Sequence, residues 1–252
     1  MSESSTTIGE SPAQASRWKS GALPVVGLTG GVGGGKSAAA ALLESRGAVV
    51  IDADSVGHEV LRHAEIAAQV VDRFGPRILG ADQAIDRRAL GRIVFDDPTA
   101  RRDLEALLHP TMFEEFARTI GDAQRRADAR LVVLDAAILL ESNWDRACDL
   151  VVFVEAPRET RLARVQATRG WTADELDARE AAQWPVERKK SRADYVLVND
   201  EDASCLESKV DRFVAWLEDE SRCAGRPLPA PTSSDSPGAG PSPARHELRL
   251  DP

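Results

Sequence analysis

The chain has 252 residues, a formal net charge of −9 and three cysteines, Cys148, Cys205 and Cys223, none in a CxxC pair. Such acidity argues against a sequence-independent grip on nucleic acid, and the scattered thiols argue against a disulfide framework or zinc knot and fit a reducing, cytoplasmic setting. No run approaches 18 apolar residues, so no membrane-spanning helix is expected.

Residues 1–22 are polar and rich in Ser and Thr, lack the apolar centre of a secretory leader, and read as a disordered arm. The ordered part is expected over 23–222. Apolar, β-rich runs recur there at 25–28, 48–51, 131–134, 150–154 and 195–198, separated by helical patterns. That alternation predicts an α/β fold with a parallel five-stranded sheet covered on both faces. The gap between the second and third runs is long and helical in pattern, with apolar spacing near 3.6 over 86–95 and a helix start at Asp97-Pro98. It reads as a helical insertion at about 55–125. His109-Pro110 is expected to close one helix and open another. A second helical stretch, about 157–192, separates the last two strands. From 223 to 252 the chain is rich in Pro and Ser and reads as a disordered tail.

The segment Gly30-Gly31-Val32-Gly33-Gly34-Gly35-Lys36-Ser37 fits G-x-x-x-x-G-K-[ST] in full. A short apolar strand precedes it, and the helix former Ala38-Ala39-Ala40-Ala41-Leu42-Leu43-Glu44 follows. In that setting the backbone amides of Gly31, Val32, Gly33, Gly34 and Gly35 turn around an anion, aided by the positive end of the helix that Lys36, Ser37 and Ala38 open. Lys36 is expected at the β- and γ-phosphates of a nucleotide, and the Ser37 hydroxyl on Mg²⁺.

The second strand runs out into Asp52-Ala53-Asp54. Ligands of doubly wound sheets sit beyond the carboxyl ends of strands, so both carboxylates are expected to face the glycine loop's crevice. One is suited to take a proton from an attacking hydroxyl, and either to hold water on Mg²⁺. Asp54 is also expected to cap a helix starting at Ser55. Asp135 ends the third strand in the Walker B manner, where a carboxylate orients Mg²⁺. Arg161, Arg164 and Arg169, with Lys189, Lys190 and Arg192 beyond, supply cations. Arg164 and Arg169 are favoured for closing on transferred phosphate, and the rest read mostly as a solvated face.

Taken together, Gly27-Leu28-Thr29-Gly30-Gly31, Asp52-Ala53-Asp54, Leu107-Leu108-His109-Pro110, Arg164 with Arg169, Gln183 ahead of a basic stretch, and Ala193-Asp194-Tyr195-Val196-Leu197-Val198-Asn199 resemble the dephospho-CoA kinase family over about 23–220. The resemblance implies a P-loop NTPase-type three-layer core, a helical substrate-binding insertion and a lid. It implies transfer of the γ-phosphoryl group of ATP, with Mg²⁺, to the ribose 3′-hydroxyl of dephospho-CoA, the last step of coenzyme A synthesis. By position, Asp54 matches the general base, Arg164 a lid arginine at the phosphates, Asp54, His58 and His109 substrate-side positions, and Asn199 a place near the adenine. The partners implied are small molecules, with no nucleic acid or membrane, acting on a monomer or weak homo-oligomer. The chain departs from the pattern at Gly34, Ala38 and Ala136-Ala137-Ile138. The competing readings are another small-molecule P-loop kinase and a GTPase-type switch. The latter is disfavoured because Val198-Asn199-Asp200-Glu201 lacks the lysine of a guanine-selecting Asn-Lys-x-Asp.

Overall fold

A computed structural model of the chain describes Lys19, residues 21–200 and residues 202–222. Most of the expected N-terminal arm and all of the 223–252 tail therefore lie outside the described residues. Five strands, β1 (Val25–Gly30), β2 (Ala48–Asp52), β3 (Leu131–Asp135), β4 (Leu150–Glu155) and β5 (Tyr195–Val198), form one sheet in the order β2-β3-β1-β4-β5, with every neighbouring pair parallel. All five sit where the apolar runs place them, because parallel strands buried on both faces read as continuous hydrophobic stretches.

Successive side chains on a strand point to opposite faces, and the two cores follow that alternation. Val26, Val133 and Val152 face helices α1 (Lys36–Glu44) and α9 (Ala203–Arg222), joining Ala39, Leu43, Val210 and Phe213 in one buried cluster. Val25, Val132 and Val151 face the other way, toward Leu139, Met112, Phe116 and Ile120.

Between β2 and β3 the chain forms α2 (Ala53–Val60), α3 (Ala64–Phe74), α4 (Arg87–Asp96) and α5 (Pro98–Ala123). Val70, Phe74, Ile78, Leu90 and Ala100 give this segment its own small core. Between β4 and β5 lie α6 (Arg158–Arg169), α7 (Ala173–Ala181) and α8 (Val186–Lys190).

Two local expectations are corrected. Pro110 does not end a helix: α5 runs through it for 26 residues. A helix-interior proline costs ~3 kcal/mol or more. Here Pro110 is exposed, while Leu108, Met112 and Phe116 on either side are buried in one cluster, so packing holds both halves in line. The cap of α2 is Asp52 rather than Asp54, and the helix begins at Ala53. Asp52 retains extended backbone (φ −82°, ψ 107°), and its carboxylate accepts from Asp54 N at 2.9 Å, Ser55 N at 3.4 Å and Ser55 Oγ at 2.8 Å.

Candidate active site

The glycine loop joins the end of β1 to the start of α1 in the middle of the sheet. Gly33 (φ 76°) and Gly35 (φ 92°) adopt left-handed backbone that side-chain-bearing residues rarely take, and Gly34 N donates to Gly31 O at 2.9 Å. The buried Gly34 carbonyl is held from outside. It accepts from Asn199 Nδ2 at 2.9 Å and from an Arg164 guanidinium nitrogen at 3.4 Å, and Arg164 also donates to Asn199 Oδ1 at 3.2 Å. A planar trans peptide points its C=O and N–H in opposite directions, so fixing this carbonyl also aims the Gly35 N–H. A Cβ at Gly35 would strike Asn199 Nδ2, which leaves glycine as the residue that fits.

Arg161 braces the loop's apex. It is buried, pairs with Glu180, donates from Nε to Ala156 O at 3.1 Å, and reaches Val32 O at 3.4 Å. Its burial lowers the guanidinium's proton affinity below the ordinary range. Arg169, by contrast, is exposed on the last turn of α6 and stacks on Trp171 at 4.6 Å. It is not one of the cations that touch the loop.

Lys36 Nζ forms an ion pair and hydrogen bond with Asp135. Asp135 is 7 % exposed. Burial pushes its carboxyl above the ordinary carboxylate range, Lys36 pulls it back, and the charges of Asp52 and Asp54 push it up again. Three carboxylates thus share one electrostatic neighbourhood around the loop lysine. The sheet explains why, since Asp52 and Asp135 are register partners at the carboxyl ends of β2 and β3. Asp54, one residue into α2, is exposed, and among the described residues its carboxylate makes no hydrogen bond. Asp52 does the capping, so Asp54 is left for other work.

His58 lies one helical turn beyond Asp54, is exposed, and lines a cavity of about 1180 Å³ walled by Arg62, Val71, Leu79, Ile85 and Arg88. His109 is elsewhere. It packs edge-on to Trp144 at 4.8 Å between centroids, and burial lowers its pKa below 6.5. The structure therefore brings together Gly31 to Ser37, Asp54, Asp135, Arg164 and Asn199, and keeps His109 in an aromatic contact of α5. Ser37 and Ala38 are exposed in the first turn of α1. Asn199 faces a loop carbonyl.

Sequence reasoning missed Lys189. It reads as part of a solvated basic run, yet it is 1 % exposed. Its ammonium donates to Ala137 O at 2.7 Å and Gln183 Oε1 at 2.8 Å, and pairs with Glu141 Oε1 at 2.8 Å. Three consecutive basic residues, Arg188, Lys189 and Lys190, carry no periodicity that singles out the middle one.

A family model for dephospho-CoA kinase matches residues 24–204. A dephospho-CoA kinase of Symbiobacterium thermophilum is 39 % identical over 225 residues, covering 87 % of this chain and 93 % of its own length. One of Anaeromyxobacter dehalogenans is 42 % identical over 200 residues, covering 77 % and 92 %. The crystal structure of TT1252 from Thermus thermophilus superimposes with a TM-score of 0.67 at 35 % identity, over 77 % of this chain and 98 % of that one. With a family model matched over 24–204 and relatives of about 40 % identity over most of both chains, the chain belongs to the dephospho-CoA kinase family.

Proposed function

We propose that the chain transfers the γ-phosphoryl group of ATP to the ribose 3′-hydroxyl of dephospho-CoA, giving coenzyme A and ADP. The observation that carries this reading is the juxtaposition at the sheet's carboxyl edge. There a loop lysine sits on a buried aspartate, and an uncommitted carboxylate, Asp54, stands beside them. Family membership names the acceptor.

The glycine loop binds the triphosphate through its amides and the α1 N-terminus. Lys36 exchanges its contact with Asp135 for the β- and γ-phosphate oxygens as nucleotide enters. Asp54 orients the acceptor hydroxyl and takes its proton late, because the transferred group passes through a loose transition state. Arg164, within reach of the loop through Gly34, neutralises charge on the transferred group together with Lys36. Rate enhancement then comes mainly from positioning and fixed charge.

The residues fit Mg²⁺. This hard cation takes one or two protein oxygens and completes its shell with water and substrate phosphate. The Ser37 hydroxyl is exposed on the first turn of α1, and Asp135 and Asp52 supply carboxylates at adjacent strand ends. A bound ion would supply positive charge against the negative charge of the phosphates during transfer. His58 and its cavity receive the part of the acceptor remote from the reacting hydroxyl, and His109, edge-on to Trp144, is assigned to the substrate side at a separate place. Asn199 lies on the nucleotide side of the loop. The helices of 55–125 serve as the substrate-binding insertion and those of 157–192 as the lid. We assign the enzyme to the cytoplasm, acting on small molecules as a monomer or weak homo-oligomer. Cys148 is a buried free thiol, as expected in a reducing compartment. No helix among the described residues is long and apolar enough to cross a membrane.

Purified protein with ATP, Mg²⁺ and dephospho-CoA is expected to yield CoA and ADP in equal amounts by mass spectrometry, and none with the 3′-deoxy acceptor. Phosphorylation of a nucleoside or sugar in an acceptor panel, with dephospho-CoA untouched, would instead identify another small-molecule kinase.

A further inference from the structure

We propose that Lys189 is a positioning residue for phosphoryl transfer, holding the turn that carries Asp135, and through it the Lys36 ammonium, in register with the glycine loop. The proposal rests on the kinase reading above.

A buried ammonium is a poor way to fill space, because taking it out of water costs several kcal/mol that a methionine would avoid. Lys189 is retained in the least exposed of the basic positions on α8. All three of its N–H donors have an acceptor. Gln183 and Glu141 satisfy two of them, and Glu141 Oε1 also takes the Trp184 amide at 2.8 Å. The third goes to a backbone carbonyl, that of Ala137, two residues beyond Asp135.

That carbonyl is a junction. Thr29 Oγ1, just before the glycine loop, donates to it at 3.2 Å, and one residue earlier Ala136 N donates to Leu28 O at 3.1 Å. The end of β1, the turn after β3 and helix α8 therefore meet at one oxygen. Movement there shifts Asp135, whose carboxylate holds Lys36. Lys36 and Lys189 also feel each other's charge, so Lys189 adds fixed positive potential beside the phosphate site. Burial draws Lys189 below the ordinary lysine range and Glu141 draws it back, which makes the carboxylate part of the same device. A purely structural strut would need no charge and would leave the reaction rate of the folded enzyme untouched.

The experiment compares wild type with Lys189→Met/Glu141→Gln, which removes both charges together, and with Lys189→Arg. A cavity of about 280 Å³ lined by Lys189, Gln183, Arg161 and Gly31 gives the larger guanidinium room. Each protein is scored by thermal midpoint, kcat, KM for ATP, and the ³¹P shift of the bound ATP γ-phosphate. The expected result for the double variant is a folded protein whose kcat is at least tenfold lower, whose KM for ATP is within threefold, and whose γ-phosphate resonance has moved. Lys189→Arg is expected to recover kcat to within threefold of wild type. A folded double variant with wild-type kcat and an unmoved resonance overturns the proposal. If the double variant does not fold, Thr29→Val, which removes the other donor to the Ala137 carbonyl, carries the test. A threefold or greater fall in kcat at unchanged ATP affinity supports the junction, and wild-type kcat overturns it. Wild-type turnover with dephospho-CoA is scored separately, and the phosphorus shift needs no acceptor, so failure of the acceptor assignment is distinguishable from failure of this proposal.

Discussion

Reversing one donor at Asn199 tests whether the loop's shape is imposed from outside. The side chain is 5 % exposed, and its Nδ2 donates to the Gly34 carbonyl at 2.9 Å. Asn199→Asp is nearly isosteric but puts an oxygen against that carbonyl. The loss comprises one net hydrogen bond, about 1 kcal/mol, plus about 1–3 kcal/mol for two acceptors facing each other without a proton. Arg164, half-buried and already on Oδ1 at 3.2 Å, returns about 0–1 kcal/mol by pairing with the new charge. The net is about 2 kcal/mol, or a Tm lower by roughly 4–8 °C for a domain of this size. Asn199→Ala loses the bond without creating the clash and is expected between the two. Because the Gly34 carbonyl sets the direction of the Gly35 amide, ATP affinity should fall with stability, by about tenfold for each 1.4 kcal/mol that reaches the loop. Scanning fluorimetry and isothermal titration with ATP read both quantities. An aspartate variant as stable as the alanine variant or more so, binding ATP like wild type, would refute the reasoning.

Two further outcomes follow from individual contacts. Asp52→Ala removes the α2 cap and should cost about 1 kcal/mol, a Tm lower by roughly 2–4 °C, recovered by Asp52→Asn because asparagine caps as well as aspartate. Burial holds the folded pKa of His109 below its unfolded value of 6.5, so between those two values the unfolded chain binds a proton that the folded one refuses. The stability this residue contributes is complete above pH 6.5 and is lost as pH falls toward the folded pKa. His109→Phe should therefore flatten the decline of Tm between pH 6.5 and 5, measured by scanning fluorimetry across that range, and an unchanged slope would remove His109 from the acid response.

The strands and the glycine loop were legible because each is written in consecutive residues. Buried parallel strands are apolar runs, and a phosphate loop needs glycine where φ is positive, as at Gly33 and Gly35. The cap of α2 was misplaced by two residues because a strand-end aspartate and a cap aspartate look alike in Asp52-Ala53-Asp54. Only the backbone conformation separates them. Pro110 misled because local chemistry opposes a helix there, while Leu108, Met112 and Phe116, packed together against the sheet, decide the matter from a distance. Arg169 and Lys189 show the same limit from both sides. Each is a basic residue in a basic stretch, yet the first lies on solvent and the second at the centre of a buried junction. Charge patterning records neither depth nor direction.

In the proposed mechanism the claim that matters most is that the Asp54 carboxylate, which makes no hydrogen bond among the described residues, acts on the acceptor hydroxyl. Rapid-quench single turnovers with γ-labelled ATP and dephospho-CoA test it most directly on Asp54→Asn. Since the Asp54 carboxylate makes no hydrogen bond among the described residues, ATP affinity should stay within threefold and Tm within about 2 °C, for a change within ±0.5 kcal/mol. The labelled coenzyme should form on the order of 10²–10⁴-fold more slowly. A variant that transfers label within threefold of the wild-type rate would contradict the claim.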